Sequence, residues 1–195
     1  VVSFGEQQES RVVTVRDANQ RRTMSFEHDV LPVFAKLGCN SGACHGALAG
    51  KGGFRLSLRG YDPESDYFTI TEQAQGRRIE LSDPGRSLIL AKPSGAIPHK
   101  GGVRYEVDSA NYQIVADWIS SGAAPPANDD PELRDIHVYP DRATLTNGSQ
   151  ADLIVVAEYA DGRIADVTRW VKWTSANETV AHVDVHVNAD VDVDV

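Results

Sequence analysis

Residues 39 to 46 read Cys-Asn-Ser-Gly-Ala-Cys-His-Gly and hold both cysteines of this 195-residue chain, with a histidine directly after the second. Two thiols and an imidazole at this spacing serve three chemistries. A Cys39–Cys44 disulfide would close a loop of about six residues and constrain the unfolded chain weakly, on the order of 2 kcal/mol. A zinc site would take Cys39, Cys44, His45 and one further ligand such as His28 or His99, and no second C-x-x-C completes it. The third is covalent haem attachment, in which each thiol adds across one vinyl group and the adjacent histidine is held beneath the iron as proximal ligand.

The haem motif is usually C-x-x-C-H, and here the spacer has four residues. A longer spacer can bulge when its residues are small, as Asn40, Ser41, Gly42 and Ala43 are. Positioning such a loop requires helices on either side. Phe26, Val30, Val33, Phe34 and Leu37 recur at helical spacing, with Ser25 as N-cap and Glu27 and Asp29 in the first turn. Pro32 is expected to break or kink the first turns, and Gly38 to end the helix just before Cys39. Asp108 and Ser109 cap a second helix whose Tyr112, Val115, Trp118 and Ile119 share a face, ended by Gly122 and Pro125-Pro126. Between them, Gly46 to Gly102 is rich in Gly and Pro, and its short apolar pieces, Phe54 to Leu58 and Ser87 to Leu90, are compatible with strands, a short helix or an ordered loop.

Residues 1 to 24 read as a strand at Val12 to Val15 and a polar linker, the end of something preceding. Ala124 to Pro131 reads as an interdomain linker, and everything after Leu133 is β in texture. Ile136 to Pro140, Ala151 to Tyr159 and Val180 to Val185 are strands, separated by turns at Thr146-Asn147-Gly148 and Ala160-Asp161-Gly162, a spacing that suits a small sandwich. The Val/Asp alternation at the end reads as an edge strand or an oddity of the sequence. A formal net charge of −9 argues against nucleic acid or anionic lipid as partner. No apolar run approaches the roughly 18 to 20 residues of a membrane span.

The segments Ser25 to Val33, Gly38 to Gly46, Lys51-Gly52-Gly53-Phe54-Arg55-Leu56-Ser57-Leu58 and Trp118 to Ala123 resemble, in that order, the cytochrome c-like domain of large planctomycete-type surface or periplasmic proteins. The resemblance covers roughly residues 25 to 126. Residues 133 to 185, with Tyr159-Ala160-Asp161-Gly162, Trp173-Thr174-Ser175 and Val180 to Asp184, look like a bacterial Ig-like domain of the invasin and intimin type. The fold class expected is therefore multidomain: a mainly α cytochrome c-like haem domain at 25–126, a linker at 127–132, and an all-β Ig-like sandwich at 133–195, truncated where the Val/Asp repeat replaces its final strands. Val12 to Val15 is one donor for the missing strand.

His45 is then the proximal iron ligand, with Cys39 and Cys44 carrying the thioethers of one covalent haem c. Members of this group often place a Met-Pro-Pro stretch before the last helix, its methionine serving as sixth ligand. Here Ala96-Ile97-Pro98-His99-Lys100-Gly101-Gly102 stands there, so His99 is the expected distal ligand, ahead of Met24, His28 and Lys100. Two imidazoles favour ferric iron and lower the potential relative to a His/Met pair. Among Arg55, Arg59, Arg77, Arg78 and Arg86, one or two can pair with haem propionates. Phe54, Tyr61, Tyr67, Leu88, Ile89 and Trp118 are candidate pocket walls. His182, Asp184 and His186 share a strand face that reads as exposed polar residues before it reads as a weak metal site, and Asp62, Glu64 and Asp66 read as a solvated acidic turn.

The function these readings converge on is electron transfer by a c-type cytochrome module, part of a larger polypeptide or complex, with an unnamed redox partner. Haem attachment to cysteines takes place outside the cytoplasm, so an extracytoplasmic location follows. Two alternatives stand beside it: a haem-based sensor or small redox enzyme with an open distal site, and a non-haem adhesive module with a Cys39–Cys44 disulfide.

Overall fold

The computed structural model describes residues 2–4, 7–9, 12, 23–185 and 191–194. β1 (Val2–Phe4) and β2 (Gln7–Glu9) pair antiparallel, Val2 opposite Glu9. Of the expected Val12 to Val15 strand, Val12 is exposed and outside any strand, and Val13 to Val15 lie outside the described residues.

The first helix begins where Ser25 caps it, its hydroxyl accepting the His28 N–H at 3.0 Å. Phe26–Val30 is wound as a π-helical turn and runs directly into α1 (Leu31–Lys36). Pro32 therefore sits in the first turn of α1, where its missing N–H is tolerated, and the irregularity expected at the proline falls in the turn before it. The middle segment has order that its Gly and Pro content concealed. α2 (Pro63–Thr71) is capped by Asp62, which accepts the Ser65 N–H at 3.1 Å, and α3 (Leu88–Ala91) is a single turn.

The acidic turn is not solvated throughout. Asp66 is 1 % exposed and accepts the Ser57 N–H at 2.5 Å and the Ser57 hydroxyl at 2.7 Å. Burial pushes its pKa up while these two hydrogen bonds oppose the shift.

α4 (Ala110–Ser120) is capped by Ser109 and packs against the Phe26–Val30 turn. Their shared core holds Phe26, Val30, Val33, Phe34, Val115, Trp118 and Ile119, with Leu56, Ile70 and Leu90 from the middle. Burying seven such side chains at about 1.5–3 kcal/mol each is what fixes the two helices across one another.

Ala124 to Pro131 holds no helix or strand. Beyond it, β3 (Leu133–Tyr139) pairs antiparallel with β4 (Gln150–Tyr159), Tyr139 opposite Ile154. β5 (Ile164–Asp166) pairs with β4 as well. The Val/Asp alternation supplies β7 (Val191–Asp194), which lies between β4 and β6 (His182–Val185) and so is an inner strand, because both its edges find partners. Val155, Ala157, Tyr159 and Val167 form a second, smaller core, and Trp170 packs against both cores. Lys36 Nζ donates to the Arg169 carbonyl, and the His28 ring meets Tyr159 edge-on at 5.1 Å. No helix among the described residues is long and apolar enough to cross a membrane.

Candidate functional site

Cys39 is delivered by the way α1 ends. Gly38 takes φ 72°. The Gly38 N–H reaches the Ala35 carbonyl at 3.1 Å, and the Cys39 N–H reaches the Phe34 carbonyl at 2.9 Å. This is the Schellman arrangement, which needs a left-handed residue at the first position past the helix and favours glycine there. The loop then folds back on itself: His45 N–H donates to the Cys39 carbonyl at 2.9 Å, and Cys44 and Gly46 N–H both donate to the Ser41 carbonyl. Gly46 has no room for a side chain, since a Cβ there would sit 2.1 Å from the Asn40 carbonyl oxygen. Both thiols are free and partly buried.

The His45 ring is held by a second structure, the turn Lys51-Gly52-Gly53-Phe54. Lys51 and Phe54 exchange both backbone hydrogen bonds while Gly52 and Gly53 have φ 59° and 75°. Positive φ at both central positions is what a type I′ turn demands, and Gly-Gly meets it. The Phe54 carbonyl accepts the His45 Nδ1–H at 3.0 Å, and the Leu56 N–H donates to the His45 carbonyl at 2.8 Å. The Phe54 ring lies 4.5 Å from the imidazole, centroid to centroid. With Nδ1 committed to a carbonyl, Nε2 is the free nitrogen, the usual state of a metal-binding histidine. Burial lowers the His45 pKa; the Phe54 hydrogen bond opposes this, and the charges of His99, Arg78 and Lys51 add to the lowering.

His99 mirrors this arrangement. Its Nδ1–H donates to the Gly102 carbonyl at 2.8 Å, and the Gly102 N–H returns to the His99 carbonyl at 3.0 Å. A Cβ on Gly101 would lie 2.7 Å from His99 Cε1, so the turn wraps the ring closely. The loop is tied to α3 through Ile97 N–H on the Ala91 carbonyl and Lys92 Nζ on the Pro98 carbonyl. The rings of His45 and His99 are 6.3 Å apart by centroid and 7° from parallel. Metal–imidazole bonds of about 2.0 Å on opposite sides of one ion put ring centroids roughly 6 Å apart.

Burial pushes the Cys39 thiol up to about 11, with the positive charge of Arg104 opposing. Arg104 Nη2 stands 3.8 Å from Cys44 Sγ. It is not among the arginines that the sequence singles out, and only its place five residues after His99 points to it. Of those that were named, Arg55, Arg59, Arg77 and Arg86 are exposed, and Arg78 is 4 % exposed. Arg78 Nη1 donates to the Thr69 and Gln73 carbonyls and Nη2 to the Gly53 carbonyl, with its guanidinium 4.7 Å over the Phe54 ring.

Other candidates lie elsewhere. Trp118 is fully buried in the helical core against Phe26, its Nε1–H on the Ala124 carbonyl at 2.9 Å. Met24 packs on the same core and His28 turns toward Tyr159. Tyr61 is exposed; Tyr67 donates to the Ala123 carbonyl. His186 lies outside the described residues. Among the described residues no three His, Cys, Asp or Glu side chains are grouped to hold a metal ion by themselves. The loop and the His99 turn thus offer two thiols and two imidazoles whose Nδ1 atoms are held by backbone carbonyls.

No family model, curated protein or solved structure matches this chain.

Proposed function

We propose that residues 25–126 are a c-type cytochrome module that transfers electrons, with one haem c held covalently by Cys39 and Cys44 and its iron bound by His45 and His99. The reading rests above all on the His45–His99 pair, each with Nδ1 on a backbone carbonyl and the two rings 6.3 Å apart. Thioether formation needs no oxidant: each S–H adds across a vinyl double bond, sulfur to one carbon and hydrogen to the other. The bound haem supplies a one-electron ferric/ferrous couple.

The chain's residues do the rest. The Gly38 turn presents Cys39, the Ser41 carbonyl gathers Cys44 and Gly46, and Phe54 fixes the His45 ring. His99 takes the place a thioether holds in a His/Met site, which favours the ferric state. Arg104 stands beside Cys44, at the edge where a thioether would form. The sheet at 133–194 serves as an Ig-like spacer packed on α1, in a protein that is extracytoplasmic and passes electrons to a partner protein.

Extraction with acidified organic solvent tests the attachment. Haem should stay with the wild-type chain and be removed from Cys39→Ala/Cys44→Ala; haem that extracts freely from wild type would contradict it.

A further inference from the structure

Arg78 is a buried cation whose contacts within the described residues are all to neutral groups. It joins two segments: the carbonyls of Thr69 and Gln73 at the end of α2, and the type I′ turn, through the Gly53 carbonyl and the face of Phe54. The same turn carries the carbonyl that accepts the His45 Nδ1–H and the ring that faces the imidazole. Gly52 and Gly53 give this turn no side chains with which to anchor itself, and neither is crowded by neighbours. Among the described residues, the Arg78 side chain is what bonds the turn to the end of α2 from outside.

We propose that Arg78 is a positioning residue for the proximal ligand: its planar guanidinium fork holds the Lys51–Phe54 turn against α2 and so sets the rotation of the His45 ring about its metal-binding axis. This rests on the reading of His45 as an iron ligand and goes beyond it, since a propionate partner would instead spend the guanidinium on the haem edge. A lysine keeps the charge but cannot reproduce a planar fork that reaches three carbonyls and stacks on a ring. Arg78→Lys and Arg78→Met should therefore behave alike.

Two readouts test this. In the haem-free chain, nitrogen-15 NMR of His45 should show wild type as the Nδ1–H tautomer with slow exchange of that proton. Both variants should show faster exchange and a mixture of tautomers. In the haem-loaded protein, ferric low-spin EPR reports the angle between the axial imidazole planes. Wild type should give the rhombic signal of near-parallel rings, and both variants a broadened signal shifted toward that of rotated rings.

If Arg78→Lys matches wild type in both measurements, charge alone suffices and the positioning role is overturned. If both variants lower the melting temperature but leave the His45 signals unmoved, Arg78 is structural only and the proposal also fails. A wild-type chain that takes up no haem would sink the cytochrome reading instead, while the NMR comparison would still decide what Arg78 does to His45.

Discussion

The His45 and His99 ring centroids lie 6.3 Å apart and the ring planes are within 7° of parallel, although the two residues are 54 positions apart in the chain. Each ring is oriented by a carbonyl from its own short turn, Phe54 for one and Gly102 for the other. Two independent turns thus commit Nδ1 of each ring to a carbonyl. Replacing His99 with Ala should convert low-spin iron to high-spin and open the site to carbon monoxide. The check is the ferrous spectrum with and without the gas: wild type should show no ready shift. An unchanged His99→Ala spectrum would remove His99 from the iron.

Gly101 gives a gentler way to disturb the proposed distal ligand. A methyl at that position would meet the His99 ring at 2.7 Å, a contact that the side chain can relieve only by swinging away. Gly101→Ala should produce a mixture of low- and high-spin iron with a melting temperature close to wild type, since the ring and not the backbone gives way. A fully low-spin Gly101→Ala protein would show that the turn does not control the distal imidazole.

At Gly46 the contact is with backbone and cannot be relieved in this way. A Cβ there falls 2.1 Å from the Asn40 oxygen and 2.9 Å from that of Ser41, whereas one on Gly42 meets nothing within 4 Å. Gly46→Ala should destabilise the haem-free chain by about 3 kcal/mol or more, and Gly42→Ala by about 0.5 kcal/mol or less. Denaturant midpoints decide this; equal midpoints for the two variants would mean the Cys39–Gly46 loop is not packed as described.

Much of the frame around the loop is legible in the residues. Ser25 and Ser109 announce their helices by capping, the heptad-like recurrence of Phe26, Val30 and Val33 gives the buried face, and Gly38 marks the stop because few other residues accept its φ. Gly148 and Gly162, at φ 79° and 82°, punctuate the strands for the same reason. What stays hidden is long-range. Nothing local to Asp66 says that it will meet Ser57 and be buried, and nothing local to Arg78 distinguishes it from exposed Arg77 beside it. His99 is legible only through the resemblance, because two imidazoles brought together from distant turns leave no period in the sequence. Val191–Asp194 reads as an edge strand because polar aspartates alternate with valines, yet it is inserted between β4 and β6.

The Cys39 thiol carries a pH signature in the haem-free chain. Burial raises it from 9.0 to about 11, so between those values the folded state holds a proton that the unfolded state has released. Stability is then full below about pH 9 and falls as pH rises through 11, by roughly 2–3 kcal/mol in all. Cys39→Ala should flatten this loss in denaturation curves taken across that range. Alkylation at pH 8 should be correspondingly slow at Cys39; a thiol that reacts at the rate of an unfolded peptide would contradict the burial.

The most direct test of the central claim is a visible spectrum taken together with the intact mass of the chain, produced in cells that attach haem to cysteines outside the cytoplasm. The account predicts a mass greater than the polypeptide by one haem and a six-coordinate low-spin spectrum in both oxidation states. A colourless protein whose mass is that of the bare chain, or lighter by the two hydrogens of a Cys39–Cys44 disulfide, would contradict it.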